Sequence, residues 1–102
     1  MIRHIVLTKF KDGTSEDAIN EIYFGLQALT EVLPGAGGFV GGRSGSPEQI
    51  ERGYMHGFTI DFESWDALKT YAESADHQAL GSQLVANAVG GIDGILVLDI
   101  EV

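Results

Sequence analysis

The chain is predicted to fold as an α+β protein, in which four antiparallel strands form one sheet and helices cover one of its faces. Three observations support this prediction. Strand-like stretches of β-branched and apolar residues occur at both ends and in the middle of the chain, the connections between them carry apolar residues at spacings of three and four, and glycines separate these units. Because 102 residues carry no linker-like or repeated segment, residues 1–102 are expected to form a single domain.

The first strand is predicted over residues 2–10, followed by a helix. Alternation along the strand puts His4, Val6, Thr8 and Phe10 on one face and Arg3, Ile5, Leu7 and Lys9 on the other. Thr14 or Ser15 is expected to cap the helix, and Pro34-Gly35 to end it. Its inward stripe is Ile19, Ile22, Leu26, Leu29 and Leu33.

Six glycines between Gly35 and Gly45 predict a short second strand that is bulged or lies at an edge of the sheet. A third strand is predicted over Tyr54–Phe62. Ser64 is expected to cap a helix that carries Tyr71, and Ser74 or Asp76 to begin another. The inward residues predicted for this last helix are His77, Leu80, Leu84 and Ala88. The final strand is predicted over Ile95–Val102.

The element order βαββαβ is typical of the ferredoxin-like fold, which has a four-stranded antiparallel sheet with its helices on one face. The other face is then uncovered. We expect it to carry Ile5, Leu7, Met55, Ile95 and Val97. Because an apolar sheet face is unfavourable in water, a second copy of the chain is the simplest cover, and a homodimer is predicted.

Composition excludes several classes of function. Six basic and fifteen acidic residues give a formal net charge of −9, which repels nucleic-acid backbones and anionic lipid. Neither nucleic acid nor membrane is therefore expected as a partner. The chain has no cysteine, which excludes disulfides and thiolate chemistry. The N-terminal apolar stretch is short, and no stretch approaches the roughly 20 apolar residues of a membrane span, so a cytoplasmic protein is expected.

Tyr71 and His77 are the strongest candidates for catalysis. His77 lies at a predicted helix start, where the helix dipole disfavours protonation and keeps the imidazole a neutral base. Tyr71 precedes it across a helix break, so the phenol is expected to bind a carbonyl oxygen while His77 removes a proton from the adjacent carbon. The alternative is that both are structural residues whose polar tips bond the backbone.

His4 and His56 lie on strands that are neighbours in the predicted fold, so both are expected to line one pocket wall. The alternative is that each is held by hydrogen bonds within the core. A zinc-type site would require all three histidines to converge at about 2.0–2.1 Å from a metal, and no helical His-x-x-x-His pair supports one. The chain also lacks glycine-rich phosphate-binding motifs and a serine-hydrolase elbow, and neither a metal nor another cofactor is expected.

Six groups of residues follow one another in a recognisable order. They are Arg3-His4-Ile5-Val6-Leu7 with Lys9-Phe10-Lys11, Gly53-Tyr54-Met55-His56, Phe62-Glu63-Ser64, Tyr71, His77-Gln78-Ala79 and Val97-Leu98-Asp99. Their order and spacing resemble the stress-responsive α/β-barrel (Dabb) family over nearly the whole chain. The resemblance implies a dimeric α/β barrel, in which the sheets of two subunits meet.

The plant polyketide-cyclase branch of that family is similar in pairing a histidine base with a tyrosine in a cavity between sheet and helices. By position, Tyr71 and His77 match that pair. The residues expected to line the cavity are His4, Val6, Tyr23, Leu26, His56, Phe58, Leu80 and Leu84. Two departures occur: Ser74-Ala75-Asp76-His77 stands where many relatives have His-Pro-Ala-His, and Leu26 stands where the cyclase branch has a tyrosine. A polyketide substrate is therefore not implied.

Three functions follow from these observations. The leading interpretation is a homodimer with an apolar pocket for a carbonyl-bearing or aromatic small molecule, possessing cofactor-free acid–base activity of a cyclase or lyase type. The second is a stress-response or ligand-binding protein without turnover. The third is a monooxygenase-like role, which related dimeric barrels suggest but no residue here favours.

Overall fold

The computed structural model describes residues Met1–Val102 and contains a four-stranded antiparallel sheet with three α-helices on one face. The elements are β1 (Ile2–Thr8), α1 (Glu16–Val32), β2 (Ala36–Arg43), β3 (His56–Phe62), α2 (Trp65–Glu73), α3 (Ala75–Asn87), a 3₁₀ turn (Gly91–Gly94) and β4 (Ile95–Glu101). The strand order is β2-β3-β1-β4, so β1 and β3 are neighbours at the centre. This is the predicted ferredoxin-like arrangement, with two consecutive helices in the second crossover. No helix has the length and apolar character that crossing a bilayer requires.

Serine side chains begin all three α-helices. The hydroxyls of Ser15, Ser64 and Ser74 each accept a hydrogen bond from the backbone N–H three residues later. Ser74 also ends α2, because its own N–H donates to the carbonyl of Tyr71 at 3.1 Å. One residue therefore sets the break between the helix that carries Tyr71 and the helix that carries His77.

The core lies between the sheet and the helices. Its largest fully buried side chains include Phe62, Ile60, Ile19, Leu26 and Tyr71. β2 is an edge strand, and its register against β3 shifts between Gly37 and Val40, as the glycine-rich sequence predicts. After α3 the chain turns tightly at Gly94, whose Cα approaches the backbone of Val89 so closely that a Cβ would not fit.

The face of β4 is the opposite of the one predicted. Val97 pairs with Val6 and Ile95 with Thr8, so both lie on the helix-covered face. The prediction was wrong because the run Ile95–Leu98 is apolar on both faces and its alternation does not fix its orientation. Ile5 and Leu7 lie on the helix-free face as predicted. The residues of β4 on that face are Leu96, Leu98 and Ile100, and Val40 of β2 also lies there. Leu98 is 55% exposed and Val40 is 68% exposed, so this face is uncovered in the single chain.

Candidate functional site

A cavity of about 550 Å³ lies between the helix-covered face of the sheet and α3. Its wall consists of His4, Val6, Leu26, Phe58, His77, Gln78, Gly81, Ser82, Leu84, Val85, Ala86, Ile92, Ile95 and Val97. Most of this wall is apolar, and it contains no lysine, arginine, aspartate or glutamate. A largely apolar wall with a few polar groups is typical of a site for a small, uncharged molecule.

A larger depression of about 740 Å³ is centred on the other face of the sheet. It is more open, and its floor includes Ile5, Leu7 and Leu96 of the uncovered face. His77 and His4 do not contribute to it. The more enclosed cavity is therefore the candidate site, although it is the smaller of the two.

His77 lies in the first turn of α3, and its imidazole is fixed by the backbone. Its Nδ1 atom is 3.1 Å from the carbonyl oxygen of Ala72 in the preceding helix. Because a carbonyl oxygen only accepts, Nδ1 carries the proton and donates it to this bond. In the neutral ring Nε2 then holds a free electron pair. Nε2 has no hydrogen-bond partner within the chain and is not fully enclosed, so it is the basic atom that His77 offers to the cavity.

Burial keeps this ring uncharged. Partial burial lowers the pKa of His77 below its ordinary value of 6.5, because an apolar environment disfavours the cation. The bond to Ala72 acts in the opposite direction, and a positive charge on His4 lowers the pKa further. At neutral pH, His77 is therefore a neutral base.

Tyr71 packs beneath His77 with its ring 4.4 Å away, measured between ring centroids. The side chain is buried, and its hydroxyl is fully enclosed without any hydrogen-bond partner in the chain. Burial raises the pKa of this phenol, so it stays protonated. Tyr71 does not form part of the cavity wall. The structure thus brings Tyr71 and His77 together, with the phenol below the cavity floor.

His4 faces the same cavity from β1. Its ring centroid is 5.7 Å from that of Tyr71, so both histidines contact one tyrosine ring. The strand register places Asp99 of β4 directly opposite His4, and the Nδ1 atom of His4 lies 2.6 Å from Oδ1 of Asp99. A carboxylate accepts, so Nδ1 of His4 donates. Asp99 belongs to the group Val97-Leu98-Asp99 that carries the family resemblance, but the sequence alone assigned it no role in the site.

His56 lies apart from this group. It pairs with Thr8 in the sheet, four residues along β1 from His4, a separation of about 13 Å at 3.3 Å per residue. Its Nε2 donates to the carboxylate of Glu16, which also accepts from Arg43. The three histidines do not converge, and no cluster of three side chains suited to hold a metal ion is present.

Two further residues expected in the cavity wall also lie elsewhere. The ring of Tyr23 packs on Phe39 and Phe58 towards β2, where Gly41 leaves room for it. Leu80 fills the space between α3 and α1 that the missing side chain of Gly25 leaves. The remaining expected residues, His4, Val6, Leu26, Phe58 and Leu84, are in the wall.

Sequence reasoning missed the part of α3 that follows His77. Gly81 and Val85 lie four and eight residues after His77 and also line the cavity, as do Gln78 and Ser82. This i, i+4 spacing on one face of a helix is the signal that identifies them. A Cβ built on Gly81 would meet no atom within 4 Å, so this glycine leaves the cavity wide at that point.

Comparisons with known proteins bear on the family and the fold of the chain. The model of the stress responsive A/B barrel domain (Dabb) matches residues 2–102. The stress-response A/B barrel domain-containing protein HS1 of Arabidopsis thaliana is 31% identical over 98 residues, which cover 96% of this chain and 86% of HS1. Olivetolic acid cyclase of Cannabis sativa is 25% identical over 80 residues, covering 78% of this chain and 79% of the cyclase.

Among solved structures, a dimeric ferredoxin-like protein of unknown function from Jannaschia sp. CCS1 superimposes with a TM-score of 0.92. It is 37% identical in sequence, and the match covers 99% of this chain and 98% of that one. The chain therefore has the ferredoxin-like fold, and it is similar in structure to a protein described as dimeric.

Proposed function

Because the chain belongs to the stress-responsive A/B barrel (Dabb) family, we propose that it forms a homodimer whose subunits each bind a neutral small molecule and use His77 to move a proton on it. The proposed chemistry is cofactor-free removal of a proton from a carbon next to a carbonyl group. This is the first step of many cyclase and lyase reactions.

The observation that carries this proposal is the state of His77. Its Nδ1 proton is committed to Ala72, its pKa lies below 6.5, its Nε2 has no hydrogen-bond partner in the chain, and the residue lines an apolar cavity. A general base must be unprotonated at the working pH and must present its lone pair to the reacting atom. His77 combines a lowered pKa with a free Nε2 in the wall of a mostly apolar cavity.

The class of ligand follows from the cavity wall. Without a lysine or arginine in the wall, a carboxylate or phosphate would be bound without a countercharge, which is unfavourable in an apolar site. Phe58, Leu84 and Val97 offer contacts to a ring or alkyl chain. A carbonyl-bearing or aromatic neutral molecule is therefore the best fit.

Tyr71 is the second proposed site residue. Its ring lies against the His77 imidazole, so it holds the base in position at the break between α2 and α3.

A relative supports the proposed class of reaction. Olivetolic acid cyclase is similar to this chain over 80 residues, and its name identifies it as a cyclase.

The uncovered sheet face supports the homodimer. Leu96, Leu98 and Ile100 of β4 are each about half exposed, at 45%, 55% and 47%. They adjoin Ile5 and Leu7, so the apolar surface is continuous across β1 and β4. A second copy would remove it from water, and the Jannaschia protein with the same fold is described as dimeric.

The proposal is tested by proton exchange on a model ketone. The probe is 4-phenyl-2-butanone, which has an aromatic ring and exchangeable protons beside a carbonyl. Loss of those protons in D₂O is followed by proton NMR, and binding is followed by chemical-shift changes of the protein. The variant is His77→Gln, and the matched control is His56→Gln, the same exchange at a histidine outside the cavity wall.

We expect the protein to bind the probe and to accelerate its exchange above the buffer rate. His77→Gln should lower the rate by about 10²-fold or more, the usual contribution of a general base, while the folded His56→Gln control keeps it. Binding without exchange in the unaltered protein would overturn the catalytic part and leave a ligand-binding protein. Absence of both would overturn the proposal.

A further inference from the structure

We propose that His4, held by Asp99, is the group that binds and protonates the carbonyl oxygen of the ligand while His77 removes the proton from the adjacent carbon. This inference rests on the proposed function and assigns a second catalytic residue to the same cavity. Asp99 is then a positioning residue, because it acts through His4 and does not touch the ligand.

The pairing of His4 with Asp99 is built into the sheet. The two residues face each other in the register of β1 and β4, and the 2.6 Å distance between Nδ1 and Oδ1 is short for such a bond. Hydrogen bonds between an imidazole and a carboxylate are charge-assisted and therefore strong. With Nδ1 committed to Asp99, the ring is fixed in one tautomer and one orientation.

That orientation leaves Nε2 of His4 free. It has no hydrogen-bond partner in the chain and is not among the fully enclosed unpaired atoms, and His4 is part of the cavity wall. The rest of the ring is enclosed by the aromatic rings of Phe58, Phe62 and Tyr71. When protonated, His4 therefore has one free donor, on a residue that lines the same cavity as His77.

The two histidines have complementary surroundings. Nδ1 of His4 lies against the carboxylate of Asp99, whereas Nδ1 of His77 lies against the neutral carbonyl of Ala72 and burial lowers the pKa of His77. His4 is the acid of this pair and His77 is the base.

Tyr71 is another donor in the vicinity, but its position is less suitable. Its hydroxyl is fully enclosed and is absent from the cavity wall. We therefore assign the binding of the carbonyl oxygen to His4 and not to the Tyr71 phenol. The Tyr71 ring packs against the rings of His4 and His77.

The proton transfer balances without a cofactor. Nε2 of His77 takes the proton from the carbon beside the carbonyl, and the electrons of that C–H bond form a C=C bond. The carbonyl π electrons move to oxygen, which takes the proton from Nε2 of His4. The products are a neutral enol, a protonated His77 and a neutral His4, so the total charge is unchanged.

The test uses the same 4-phenyl-2-butanone exchange with Asp99→Asn, His4→Gln and Tyr71→Phe. The matched control is Asp61→Asn, a strand carboxylate that pairs with Arg3 on the opposite face of the sheet. Rates are measured over a range of probe concentrations to separate turnover from binding. The Nδ1 proton of His4 is observed directly by proton NMR of the imidazole region in H₂O.

We expect Asp99→Asn to lower turnover at least tenfold with little change in KM, because general-acid help is commonly worth about 10²-fold or more. The low-field imidazole proton of His4 should vanish in that variant, and His4→Gln should be equally slow. Asp61→Asn should match the unaltered protein, and Tyr71→Phe should lose less than Asp99→Asn.

The exchange assay distinguishes a failure of the role of His4 from a failure of the role of His77. If the protein exchanges the probe and His77→Gln abolishes it, but Asp99→Asn and His4→Gln retain full turnover, His77 acts without His4. A large loss in Tyr71→Phe with none in Asp99→Asn would assign the oxygen to the phenol instead. If Asp99→Asn were unfolded, His4→Gln would decide, since it leaves Asp99 at the solvent-accessible edge of the site.

Discussion

The imidazole of His77 and the phenol ring of Tyr71 lie 4.4 Å apart across the break between α2 and α3. Ser74 creates this break by donating its N–H to Tyr71 and accepting the N–H of His77 at its hydroxyl. The backbone at both residues is therefore fixed through one side chain. This geometry fixes the position of His77 at the start of α3 relative to Tyr71 at the end of α2.

The pH dependence of exchange follows from the lowered pKa of His77. The base acts only when unprotonated, and its pKa in the folded protein lies below 6.5. As the pH falls, the acid limb of the rate, where His77 takes up a proton, should therefore lie below 6.5. The measurement is the exchange rate of 4-phenyl-2-butanone between about pH 5 and pH 8, since such profiles report the essential base. An acid limb centred above 6.5 would show that burial does not lower the pKa of His77.

Removing the unpaired hydroxyl of Tyr71 should not destabilise the fold. Its oxygen is buried without a partner, so Tyr71→Phe gives up no hydrogen bond and is expected to be neutral or stabilising by up to about 1 kcal/mol. The matched contrast is Thr30→Val, because the buried Thr30 hydroxyl donates to the Leu26 carbonyl at 2.8 Å. That change should cost about 1 kcal/mol. Urea unfolding measures both, and a larger loss for Tyr71→Phe would show that its hydroxyl is hydrogen-bonded in solution.

Filling the cavity from Gly81 should block the ligand without disturbing the fold. The position is helical and faces open space, so Gly81→Phe directs its ring into the cavity. The control Gly81→Ala adds one methyl group and should raise the free energy of unfolding by about 0.5–1 kcal/mol through helix propensity. Titration with 4-phenyl-2-butanone should show binding to Gly81→Ala and none to Gly81→Phe. Equal binding by both would place the ligand elsewhere.

A charge on the uncovered sheet face should separate the subunits. Leu98 is 55% exposed on β4, opposite Ile5, so Leu98→Glu would bury a carboxylate in the proposed interface. Phe24→Glu is the control, because Phe24 is 69% exposed on α1, which covers the other face. Sedimentation equilibrium should give a dimer for the unaltered protein and for Phe24→Glu, and a monomer for Leu98→Glu. A dimer that splits with Phe24→Glu alone would put the interface on the helices.

The fold was predictable because local signals agreed with one another. Serine caps, helical spacing and glycine breaks marked each helix, and the element order specified the sheet. The face of β4 was not predictable, since Ile95, Leu96, Val97 and Leu98 are equally apolar on both sides. Pairing with β1 decides it, and this pairing is a long-range property of the chain.

The candidate site was predictable where its residues are close together in the sequence. Tyr71 and His77 are close in sequence, so a single helix break brings them together. His56 was expected beside His4 because their strands are neighbours, but strand register separates them along the sheet. The same register brings Asp99 to His4 from 95 residues away, and no local pattern signals this.

The tautomer of His77 tests most directly whether this residue is the base. It is measured by long-range proton–nitrogen NMR of the imidazole rings at pH 7, before and after addition of 4-phenyl-2-butanone. We expect a neutral ring with the proton on Nδ1 and a free Nε2 whose resonance shifts when the probe binds. A ring protonated on Nε2, or a doubly protonated ring at that pH, would contradict the assignment of His77 as the base.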